Sequence, residues 1–75
     1  DMYQLSKGGN TFGIKWRTQD QAQEAKAKYI EEHVHEYAGL VQREFVDSGM
    51  TILEPEARDI AYIRLEHDVQ IIVRG

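Results

Sequence analysis

His33-Val34-His35-Glu36 is the stretch of this 75-residue sequence best supplied with metal-ligating side chains, imidazole and carboxylate both being common ligands. The spacing works against it. On a helix, residues two apart point about 200° apart, so His33 and His35 cannot grip one ion together. Glu32 with Glu36, and Glu31 with His35, do share the i,i+4 spacing. Two ligands from one helix still need others, and His67 and Asp68 supply them only if their segment folds against the helix's outer face. The motif is therefore expected to be solvated helix surface, and no metal or other cofactor is expected.

Gly8-Gly9-Asn10-Thr11-Phe12-Gly13 has the glycine content of a phosphate-cradling loop. Such loops lead from a strand into a helix amino terminus, whose amides meet the anion. These glycines sit between two strand-like segments, which makes them a turn. Nucleophilic chemistry has only Ser6 and Ser48, neither in a strand-to-helix elbow, and no cysteine. Glu54 and Glu56 flank Pro55 as an ordinary loop pair. A catalytic role is not expected.

The elements that would carry these groups fit one domain over residues 1–75. A chain of this size buries only about 60% of its unfolded surface, so its core is thin unless a partner adds to it. The absence of cysteine fits a reducing, cytoplasmic setting, no signal-peptide pattern opens the chain, and no apolar run has membrane-spanning length. The chain opens on Asp1 rather than Met, as would a chain with a trimmed tag or a domain cut from a longer parent. Net charge is −4, which disfavours indiscriminate binding to nucleic acid or anionic membrane. Five bases and three acids lie in residues 1–30, against four bases and ten acids in residues 31–75.

Residues 2–18 read as a β-hairpin. Tyr3 and Leu5 alternate with polar neighbours, as do Phe12, Ile14 and Trp16. A Gly8–Gly9 turn sets Leu5 opposite Phe12 and Tyr3 opposite Ile14, keeping the large apolar residues on one face. Thr18 and Gln21 form a capping box for a helix from about 19 to 47, closed by Gly49. Ile30, Val34, Tyr37, Ala38, Val41 and Phe45 make its apolar stripe, bordered by Tyr29, His33 and Leu40. Met50–Leu53 reads as a short strand ended by Pro55. Residues 60–74 read as a second hairpin: Ala61, Ile63 and Leu65 alternate on one arm and Val69, Ile71 and Val73 on the other, with Glu66-His67-Asp68 as the loop. The expected fold class is α+β, a single long helix on an antiparallel sheet of two hairpins.

That register turns Gln4, Ser6, Thr11, Lys15 and Arg17 away from the helix, and with them Ile60, Tyr62, Arg64, Gln70, Ile72 and Arg74. Tyr62 would lie across from Ile72, giving an Ile60–Tyr62–Ile72 patch rimmed by Arg64 and Arg74, which is interface composition. The sequence therefore predicts a small non-enzymatic protein-interaction or regulatory module acting through the outer sheet face. The expected partner is a protein or a second copy in a homodimer, and not a membrane. Single-stranded nucleic acid stacked on Tyr62 is the alternative. Tyr29, His33 and Leu40 form a second candidate surface.

Overall fold

The computed structural model describes all of residues 1–75 and confirms the α+β class, with two helices rather than one. Strands β1 (Met2–Lys7) and β2 (Asn10–Trp16) form the expected hairpin. Gly8 and Gly9 turn it at φ of 60° and 82°, values that cost a side-chain-free residue nothing. Leu5 pairs with Phe12 as the alternation predicts, but Tyr3 pairs with Trp16 instead of Ile14. Three residues of β2 stand opposite Gln4 alone, an irregularity centred on Gly13 at φ 73°. The Gln4 Nε2 donates to the Gly13 carbonyl at 2.9 Å and holds the bulge in place. Ile14, expected in the core, is thereby turned out and left 63% exposed.

Helix α1 (Gln19–Asp47) has the predicted bounds. The Thr18 hydroxyl accepts from the Gln21 amide at 3.1 Å, while the Gln21 side chain accepts from the Thr18 amide, also at 3.1 Å. At the other end Gly49 takes φ 79°, its amide reaching the Val46 carbonyl and that of Met50 the Phe45 carbonyl. This pair of bonds is the Schellman closure.

Beyond Gly49 the chain departs from the expected course. Met50–Leu53 is a connector without regular structure and no strand. Residues expected as the first arm of a second hairpin belong instead to helix α2 (Glu54–Asp68). Pro55 falls in the first turn, where its missing amide costs nothing, and Glu54 and Glu56 place negative charge at the helix start. The Glu56 carboxylate also accepts from the Leu53 amide at 3.3 Å. The buried set is Ala57, Ala61 and Leu65, a spacing of four that only a helix puts on one face. The expected second arm is strand β3 (Val69–Arg74), which follows α2 without a loop and pairs with β1 rather than with residues 60–65.

The sheet order is β2-β1-β3, antiparallel throughout, with Met2–Lys7 matched residue by residue to Arg74–Val69. Two clusters make the core. Leu5, Ile30, Leu65 and Val69 join the sheet to both helices, with Phe12, Tyr29, Val34 and Ile71 packed around them. Ala38, Val41, Ala57 and Ala61 form the α1–α2 seam, flanked by Phe45, Ile52 and Ile60. The early part of α1 thus meets the late part of α2, and α2 doubles back along α1. The result is elongated, 47 × 20 × 14 Å, because α1 outruns the sheet.

Candidate interaction surface

The five residues expected to form one docking patch do not share a face. Ile60, Tyr62 and Arg64 lie on α2, while Ile72 and Arg74 lie on β3. The physical reason is the change of period. Residues two apart share a face on a strand but are about 200° apart on a helix. Ile60 accordingly packs beside the alanine seam, whereas Tyr62 points outward and is 51% exposed. Arg64 spends its guanidinium on the Glu44 carboxylate across the seam. Ile72 stands opposite Gln4 on β1, not opposite Tyr62.

Because Leu5, Val69 and Ile71 pack inward, their alternates Gln4, Ser6, Gln70, Ile72 and Arg74 face outward as the sequence predicts. Thr11 joins them opposite Ser6. No aromatic stands on this outer face, since Tyr62 belongs to α2. A base-stacking platform therefore lacks its stacking residue.

The second candidate surface is partly assembled. Tyr29 stacks between Phe12, at 4.9 Å between ring centroids, and His33, at 4.1 Å. These rings border an open groove of about 570 Å³ between β2 and α1, floored by Leu5 and walled by Ile14, Trp16, Glu24, Lys28 and Glu32. Leu40 is exposed but lies outside that lining.

A wholly polar cleft of about 500 Å³ lies where the hairpin turn meets the end of α2, lined by Ser6, Lys7, Gly8, Gly9, His67, Asp68 and Gln70. Serine, histidine and aspartate meet there, and the His67 Nδ1 is 3.3 Å from the Asp68 Oδ1. Ser6 makes no hydrogen bond to His67, so the three are not linked as nucleophile, base and orienting acid. Lys7, in the same cleft, carries an ammonium held above its ordinary pKa of 10.5 chiefly by the Tyr37 hydroxyl. Its Nζ stands 5.2 Å from the centre of the Tyr37 ring. His35 and His33 diverge as helix spacing requires: the His35 Nδ1 is 3.2 Å from the Arg58 guanidinium, while His33 lies against Tyr29. No three His, Asp or Glu side chains converge in a way that could hold a metal ion.

No protein-family model, characterised protein or solved structure matches the chain. Function has to be argued from its own geometry. No helix is long and apolar enough to cross a membrane.

What the geometry does display is unfinished burial. Nine of the 75 residues are buried, none of them polar. The chain exposes 5408 Å², against about 4,700 Å² for a compact monomer of its mass. Its radius of gyration is 14.5 Å, against about 11 Å for a compact chain of this length. Ile63 at 67% and Val73 at 61% are among the most exposed of the large apolar residues. The sequence pattern places Ile63 on the inner face of a hairpin, and the helix turns it out; Val73 does keep to the inner row of β3 but stands uncovered there.

Proposed function

We propose that this chain is a small non-enzymatic protein-interaction module, of a regulatory kind, that works joined to a second copy of itself. The observation that carries this reading is the surface left over after folding. The excess is roughly 700 Å² over a compact monomer, close to the ~800 Å² each partner buries in a standard interface. Eight large apolar side chains stand exposed, five of them (Met50, Leu53, Tyr62, Ile63 and Val73) on the α1–α2 connector, α2 and β3. A non-enzymatic role is supported by the polar cleft, whose serine is not joined to its histidine. Sedimentation equilibrium across a concentration series tests the reading. The expected mass is twice 8.7 kDa, with a melting temperature that rises with concentration. A chain that stays a monomer at the highest concentrations, with a melting temperature independent of concentration, overturns it.

A further inference from the structure

We infer that the second copy docks on the free edge of β3, its own β3 lying antiparallel, so that two three-stranded sheets become one of six strands. This rests on the self-association reading and says which surface performs it.

The two edges of the sheet are unequal. At the β2 edge the chain carries extra residues opposite Gln4, a glycine at positive φ, and Lys15 beside it. A bulge and a lysine are the devices that keep an edge from pairing with another chain. The β3 edge has neither. Val69–Arg74 pairs with β1 through six consecutive residues without irregularity, and contains no proline, lysine or acid. Beyond Val69, which is buried with its amide bonded to Leu65, the outer edge of Gln70–Arg74 has no strand beside it. Such an edge is a template for a further strand.

The neighbouring helix continues the same surface. α2 packs on α1 and touches β3, so it flanks that side of the sheet. Ile63 lies nearly opposite the buried Ala57–Ala61–Leu65 face, and Tyr62 lies next to it. Across a two-fold axis through the paired edges, each copy's α2 would meet its counterpart beneath the joined sheet. Ile63, Tyr62 and Val73 would then lose the exposure they have in the single chain.

Faces and burial select the register. Opposite residues must share a face, so the axis passes through a residue and not between two. An axis at Ile72, clear of the fully buried Val69, sets Val73 opposite Ile71 of the second copy on the inner side. On the outer side it sets Arg74 opposite Gln70, both exposed in the single chain. The paired strands and the helix flank together draw on the surface excess that no part of the monomer covers.

The test is sedimentation equilibrium on the full chain and three variants, with circular dichroism as the folding control. Val73→Lys and Ile63→Lys alter exposed side chains and leave the core intact. Both are expected to weaken self-association about tenfold or more, by placing an unpaired charge in the new interface, while the spectrum is unchanged. Ile14→Lys, at the bulged edge, is expected to leave the dimer as it is. A dimer that survives both Val73→Lys and Ile63→Lys overturns the inference, as does one dissolved only by Ile14→Lys. In those cases self-association stands and the surface is wrong. A wild-type chain that never dimerises removes both together.

Discussion

The guanidinium of Arg64 on α2 meets the carboxylate of Glu44 on α1 across the helix seam, tying together two residues twenty positions apart. Both side chains are about half exposed, so water competes for each charge. A double-mutant cycle of Arg64→Ala and Glu44→Ala, followed by urea unfolding, should give a coupling of about 0.2–1 kcal/mol. A coupling well above that range would show that the pair is shielded in a way the single chain does not provide.

The seam beneath that pair is held by small side chains. Ala38, Ala57 and Ala61 are almost wholly buried, so the helices approach with no room between them. Ala61→Leu forces additional carbon atoms into that contact and should destabilise the fold by about 1–3 kcal/mol. Asp59→Ala, on the exposed side of α2, should change stability by no more than about 0.5 kcal/mol. Urea midpoints measured at one protein concentration separate the two.

Lys7 gives the fold an alkaline sensitivity of known sign. Its folded pKa is raised above 10.5, so its contribution is complete below that pH and is lost as pH climbs through the folded value. Lys7→Met should therefore lower the melting temperature at neutral pH, by the equivalent of about 0.5–1 kcal/mol for a solvent-accessible cation beside an aromatic ring. The gap between variant and wild type should close above the folded pKa. Lys7→Arg keeps its charge and should keep its advantage there.

Local rules made much of this fold legible in the sequence. Thr18, Gln21 and Gly49 gave α1 its bounds because capping depends on neighbours only a few residues away. The Gly8–Gly9 turn and the Leu5–Phe12 pair followed from strand alternation. Gly13 carries the bulge, as a glycine inside a strand often does, whereas strand alternation alone places Ile14 inward. The second helix was hidden by its composition. Ile60 to Leu65 alternates well enough to pass for a strand, and the residues that betray a helix, Ala57 and Ala61, weigh little in any apolar pattern. Their burial depends on how closely α1 approaches, which is a tertiary fact. The misplaced surface followed from that one period: Ile72 and Arg74 kept their outward direction, while Ile60, Tyr62 and Arg64 scattered around a helix.

The antiparallel match of Met2 with Arg74 puts both ends of the chain at the same end of the β1–β3 pair. Tension applied at residues 1 and 75 would therefore peel these strands apart like a zip, loading one hydrogen bond at a time instead of shearing the whole ladder together. A fold joined this way yields to a gentle pull along its own chain, however well its helices hold.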